Sequence, residues 1–200
     1  MKALVIGASG TIGSAIVREL EHDTEIVAAS PNSGTHKIDL SDRDSIRAVL
    51  SSVNDLDGII CAASRGVVFK ALADMTPEDY LASMQQKLLG QLTLVLEGAK
   101  VLNDKGSITL TTGIMNHDFV LHGTAAAMVN NAVEGFAQAA ALDLPRGIRL
   151  NVVSPALLEE SAELYKDFCP GFEPVPSAKV ARAYRKSLYG VQTGRVYQVN

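Results

Sequence analysis

Lys2-Ala-Leu-Val-Ile-Gly7-Ala-Ser-Gly10-Thr-Ile-Gly13 runs a short apolar stretch straight into three glycines spaced three apart. A strand that breaks into a tight turn and then enters a helix leaves the first helical N–H groups without intrahelical partners. Such a helix start attracts anions and suits the pyrophosphate of a dinucleotide. Gly7 lets the strand turn sharply, Gly10 lets backbone approach phosphate oxygens, and Gly13 lets the helix close on the strand. Ser9, Thr11 and Ile12 complete the candidate cradle. The competing reading is an ordinary strand-to-helix turn, so the surroundings decide.

Those surroundings alternate. Short β-branched runs occur at Ala3–Ile6, Glu25–Ala29, His36–Leu40, Gly58–Cys61, Ser107–Thr111, Arg149–Ser154 and Arg195–Val199. They are apolar on both faces, as strands of a buried parallel sheet are. Helical patterns fall between them: Thr11 to before His22, Asp42–Ser52 with Ser41 as N-cap, Thr76 to about Leu102, Gly123 to about Leu144, and a last helix capped by Ser177. Thr76-Pro77-Glu78-Asp79 is a strong helix start, with a capping hydroxyl, a proline in the first turn and two acids at the positive end. Repeated β-α-β order predicts an α/β fold: a single doubly wound Rossmann-like domain over residues 1–200, with a seven-stranded parallel sheet between helical layers. The irregular segment 156–176 follows the sixth strand, where open α/β sheets place their ligand crevice, and reads as a short substrate cover.

The 200 residues suffice for one sizeable core, with 47% hydrophobic and 20% charged residues. A net charge of −4 without a basic run argues against nucleic acid as a partner. Cys61 and Cys169 belong to no metal-ligand pattern, and Cys61 ends an apolar run as a small buried hydrophobe does. No metal is expected. No signal peptide or membrane span is visible, so the expectation is a cytoplasmic protein without a membrane partner. The 123–144 stretch is apolar nearly all round, and 88–96 is similar. A helix of that kind is buried on both sides. The helices 76–102 and 123–144 are thus expected to build a homodimer or homotetramer, the alternative being that they pack only on each other.

In order, these stretches resemble the short-chain dehydrogenase/reductase family along nearly the whole chain. Gly7, Gly10 and Gly13 match its glycine motif, in the spacing of its extended and atypical members. Asp39-Leu40 resembles the position that meets the adenine, and Ala62 and Ala63 follow a strand like the one the family ends in Asn-Asn-Ala-Gly. Gly106–Gly113 resembles the strand that delivers a catalytic serine, Asn131–Phe136 the helix after the catalytic Tyr and Lys, and Arg149–Pro155 the sixth strand. Gly194–Val199 resembles the last strand. The resemblance implies a nicotinamide coenzyme, with Pro155 at its site, and a small carbonyl or alcohol substrate.

The resemblance departs at the chemistry. The serine position falls on Thr112, which keeps a hydroxyl to hold a substrate oxygen. The Asn position, three residues before Gly90, falls on Lys87; the Tyr and Lys positions fall on Ala126 and Asn130. Hydride addition to a carbonyl builds negative charge on oxygen, which a donor or cation must meet. Lys87 is the candidate, with His117 and His122 as loop alternatives, and Asn116, Asn130 and Asn131 as hydrogen-bonding amides. Tyr165 in the cover segment reads mainly as amphipathic packing. Ser30 ends the second strand where an acid would select NAD, and no arginine follows it. Ser30, Asn32, Ser33, His36 and Lys37 can bond a phosphate, which tips the choice toward NADP over NAD. The leading reading is an NAD(P)-dependent oxidoreductase with a non-standard site; the alternatives are an inactive dinucleotide-binding sensor or scaffold, and a non-redox enzyme such as an isomerase.

Overall fold

The computed structural model describes residues 1–32, 35–63 and 66–200. Seven strands form one parallel sheet: β1 Lys2–Ile6, β2 Glu25–Ser30, β3 His36–Lys37, β4 Gly58–Cys61, β5 Ser107–Thr111, β6 Arg149–Pro155 and β7 Val196–Val199. Their order across the sheet is β3-β2-β1-β4-β5-β6-β7. The helices are α1 Thr11–Leu20, α2 Arg43–Ser52, α3 Pro77–Ser83, α4 Gly90–Val101, α5 Thr124–Ala140, α6 Ala162–Tyr165 and α7 Ser177–Tyr189. The doubly wound α/β fold expected from the alternating pattern is the fold observed.

Strand side chains alternate between faces, so each strand feeds two cores. Leu4, Ile6, Ile59, Ile108 and Leu150 pack under α2, α4 and α5. Ala3, Val5, Ile60 and Val153 pack with Ile16 and Leu20 of α1 and with Val180 and Leu188 of α7. A buried polar seam runs through the second layer, where the Tyr184 hydroxyl lies 2.6 Å from Thr111 Oγ1. Burial raises the Tyr184 phenol's pKa, against a lowering from the Thr111 bond.

Several element ends differ from expectation. β3 stops at Lys37 because Asp39 Oδ1 accepts from the Ser41 N–H and hydroxyl at 2.8 and 2.7 Å, closing a turn where the strand would continue. That bond occupies Ser41, so Asp42 caps α2 instead, accepting from the Asp44 N–H at 2.9 Å. Ser177 is the first residue of α7 rather than its cap, and its N–H donates to Glu160 Oε1 at 3.2 Å. Thr76 and Asp79 form the reciprocal capping box at α3. The long helix is also not uniform: between α3 and α4 it widens into a π-helical segment, Met84–Leu89.

Candidate active site

Two cavities meet the carboxyl edge of the sheet. The first lies along β1, β2 and α1. Gly7 turns the chain with φ +83, a left-handed conformation that favours glycine. A Cβ on Gly13 would stand 1.9 Å from the Gly7 carbonyl, so only glycine lets α1 seat this tightly. A Cβ on Gly10 would meet only the Gly7 carbonyl, at 3.4 Å, so space above the helix start is open. No side chain caps that start. Beside it a cavity of about 450 Å³ is lined by Ser9, Ser14, Arg18 and Ser30 among others. An arginine is thus present near Ser30 after all. It comes from α1, and its spacing of four from Ser14 and eight from Gly10 was the available helical signal.

The second cavity, about 630 Å³, sits over the ends of β5 and β6. β4 and β5 stay paired only to Ile60 and Thr109, whereas β5 and β6 continue to Thr111 and Val153. Gln91 bridges the resulting gap. Its Oε1 accepts from the Thr111 N–H at 2.8 Å, and its Nε2 donates to the Thr111 and Lys87 carbonyls at 3.0 and 3.3 Å. A π turn disturbs the regular i→i−4 pattern, and such turns concentrate at functional sites; here Gln91 ties the widened turn to the strand end. The π segment carries Lys87, only 5% exposed, into the cavity wall. Its Nζ donates to the Thr112 carbonyl at 3.3 Å. Burial lowers the ammonium's pKa from 10.5 to about 8, against the opposing pull of Cys61 and Glu134. Cys61 itself is fully buried, which pushes its thiol up to about 12.

Thr112 hangs on β6 through its N–H, 3.0 Å from the Val153 carbonyl. Its hydroxyl was expected to donate to a substrate oxygen. Instead it donates to Glu134 Oε1 at 2.8 Å, which leaves Oγ1 as an acceptor. Glu134 Oε2 lies 3.0 Å from His117 Nε2. His117 therefore reaches the cavity only through Glu134, and neither His117 nor His122 lines it. Asn130 is fully buried; its Nδ2 donates to the Gly113 carbonyl at 2.9 Å, while its Oδ1 has no partner among the described residues. Asn116 Oδ1 is likewise buried without a partner.

The other sequence candidates divide. Ile12 and Pro155 line the larger cavity, as does Ala126 of α5. Ala62 and Ala63 follow β4, with Ala63 N 2.9 Å from a Cβ placed on Gly7. Asp39 and Asn32 are exposed at the sheet edge, Leu40 is half-buried, and Ser33 lies outside the described residues. Segment 156–176 supplies Leu157, Leu158, Tyr165, Phe168 and Phe172 to the wall, which Phe69 also lines. Lys87 is the one charged side chain among the described residues lining it. Among the described residues no cluster of His, Cys, Asp or Glu can hold a metal ion, and no helix is long and apolar enough to cross a membrane. Spacing alone did not point to Gln91, Glu134 or Arg18.

This geometry fits a dinucleotide: an open helix start and an adjoining cavity with a cation. Comparison with known proteins agrees. The family model described as enoyl-(acyl carrier protein) reductase matches residues 9–188. The short-chain dehydrogenase/reductase ucsE of Acremonium sp. is 32% identical over 102 residues, a stretch covering 50% of this chain and 38% of that protein. The crystal structure of lin1944 from Listeria innocua is 49% identical, with full coverage of both chains and a TM-score of 0.97. A small-chain dehydrogenase structure is 26% identical at a TM-score of 0.85, covering 100% of this chain and 96% of its own. With its glycine turn, seven-stranded sheet and family match along most of its length, the chain belongs to the short-chain dehydrogenase/reductase family.

Proposed function

We propose that this protein is an NADP(H)-dependent oxidoreductase that interconverts a small, neutral, apolar carbonyl compound and its alcohol. The observation that carries the reading is the junction of an open glycine turn with a cavity whose walls are mainly aliphatic and aromatic, Lys87 being the one charged side chain among the described residues lining it. Bound NADP(H) supplies the hydride acceptor or donor. Gly7, Gly10, Gly13 and the start of α1 hold its diphosphate, Arg18 and Ser30 favour a 2′-phosphate, and Asn130 Oδ1 accepts from a ribose hydroxyl. NAD remains the weaker partner, because no carboxylate among the described residues lines the smaller cavity to take up free ribose hydroxyls.

The chain's own residues then act on the substrate oxygen. Lys87 meets it with a cation in a site that burial keeps at low dielectric, where a charge is worth far more than in water. Thr112 offers the second polar contact, and His117 acts behind it. The mainly apolar wall accepts substrate bodies without charge: a substrate ammonium would meet only the like charge of Lys87 there, and a substrate carboxylate would take Lys87 away from the reacting oxygen. The 156–176 segment acts as the cover. In this reading the protein works in the cytoplasm as a homodimer or homotetramer, through 76–102 and 123–144, where Leu81, Leu89, Leu96 and Met128 are exposed; sedimentation velocity tests it, and a monomer at all concentrations refutes it.

The functional test is direct. NADPH and NADH are titrated by fluorescence, then apolar ketones and their alcohols are screened for coenzyme turnover. Tighter NADPH binding and turnover of at least one pair are expected. Failure to bind either coenzyme refutes the reading.

A further inference from the structure

Glu134 is a buried carboxylate for which the reading above has no task. It is 6% exposed on α5 and joins two groups already placed at the site. Thr112 donates its hydroxyl proton to Oε1 at 2.8 Å, and His117 Nε2 lies 3.0 Å from Oε2, with that imidazole 37% exposed. The titratable groups facing Glu134 are His117 from the loop after β5 and Lys87 from the π segment, with Cys61 of β4 behind Lys87.

We propose that Glu134 stores the substrate's proton, exchanging it through Thr112, and that the cavity therefore recognises the hydroxyl form of its substrate. The proposal rests on the oxidoreductase reading. Its basis is the direction of the Thr112 bond. A hydroxyl has one proton, and this one is given to Glu134, so Thr112 Oγ1 can only accept from the cavity. Lys87 Nζ, in contrast, can only donate. An alcohol satisfies both, donating to Thr112 and accepting from Lys87. While Glu134 is ionised a carbonyl oxygen satisfies Lys87 alone; once Glu134 holds the proton, its O–H donates to Thr112 and the Thr112 hydroxyl is released to donate to the carbonyl.

In the oxidative direction the substrate O–H bond breaks as its proton bonds to Thr112 Oγ1. Thr112's own proton passes to Glu134 Oε1. The C–H bond gives its electron pair as hydride to NADP⁺, and the C=O bond forms. One substrate loses a hydride and a proton; the coenzyme gains the hydride and Glu134 the proton. Reduction is the same path reversed. His117 holds the far carboxylate oxygen, fixing Oε1 toward Thr112. Glu134 is thus a positioning residue that acts through Thr112, and it takes the place of a direct phenol donor.

Glu134→Gln keeps the size and one acceptor but cannot take the proton; Glu134→Asp keeps the charge. With an alcohol and ketone pair that the wild type turns over, Glu134→Gln is expected to lower kcat/KM about 100-fold in both directions, as the fixed equilibrium constant requires. KM should change much less than kcat, and the acid limb of the oxidative pH profile should vanish. Glu134→Asp should restore part of the rate and the limb. A second readout needs no coenzyme. NMR titration of isotopically labelled Lys87 should show its pKa lowered in Glu134→Gln, because the carboxylate favours the ammonium. Wild-type kcat and pH profile in Glu134→Gln, or an unmoved Lys87 titration, overturns the proposal while leaving the function reading intact. A wild type that turns over no pair overturns both.

Discussion

The two sides of the cleft are built from different materials. On the proposed coenzyme side the surface is mostly backbone, a glycine turn and a helix start that no described side chain caps, with one arginine side chain at the rim. On the proposed substrate side it is side chains: a buried lysine held on the Thr112 carbonyl, and the Thr112 hydroxyl bonded to a buried carboxylate, beneath a mainly apolar roof. A backbone site works by the absence of atoms, so the smallest addition ruins it. A side-chain site works by holding charge away from water, so its cost appears in stability and its removal should make the protein more robust.

Gly13→Ala should give the largest effect. Its Cβ would sit 1.9 Å from the Gly7 carbonyl and 2.8 Å from Ala8 Cα, where only backbone can yield. Loss of NADPH binding and a destabilisation of about 3 kcal/mol or more are expected, read by titration and thermal melting. Lys87→Met should separate the two sides. Turnover should fall at least about 100-fold with coenzyme affinity retained, the size of loss seen when one charge-stabilising donor is removed.

The same variant should be more stable by about 3 kcal/mol at pH 7, given a lysine displaced from 10.5 to about 8. The sign follows from proton counting. Below about 8 the folded and unfolded chains both carry the charge and the full burial cost is present; above 10.5 both are neutral and it is gone. Wild-type stability should therefore gain on the variant between those values, and parallel melting curves across that range would defeat the account. Arg18→Ala, at an exposed rim, should weaken NADPH about 10-fold and leave NADH unchanged. Thr76→Ala lies outside the cleft; losing its capping box should cost about 1 kcal/mol with no change in coenzyme affinity.

Legibility follows the same division. The glycine turn, the strands and the Thr76 cap are local, so spacing and residue type suffice to find them. Thr112 and Lys87 are visible as departures from a resembling pattern, and the structure places both at the larger cavity. Glu134 was not visible because its partner Thr112 is 22 residues away and it sits in an alanine-rich helix, where an isolated acid reads as a solvated position. Gln91 faces Thr111 across 20 residues. The apolar pattern extends strand β3 to Leu40 because it carries no sign of the Asp39 turn that stops the strand at Lys37. What spacing leaves out is the hydrogen-bond partner, and in this cleft the partners decide which groups donate and which accept.

The widened turn at Met84–Leu89 has a consequence for how such a cleft can arise. A π turn holds one residue more than an α turn, and one residue corresponds to about 100° of helical rotation. Deleting the codon for Leu88 or Leu89, between Lys87 and the part fixed on the sheet, should let the helix return to regular winding and turn the amine about 100° away from the crevice. The part that packs on the sheet, from Gly90 onward, keeps its phase. Gaining or losing the cation is then one small insertion or deletion, without rebuilding the core beneath it.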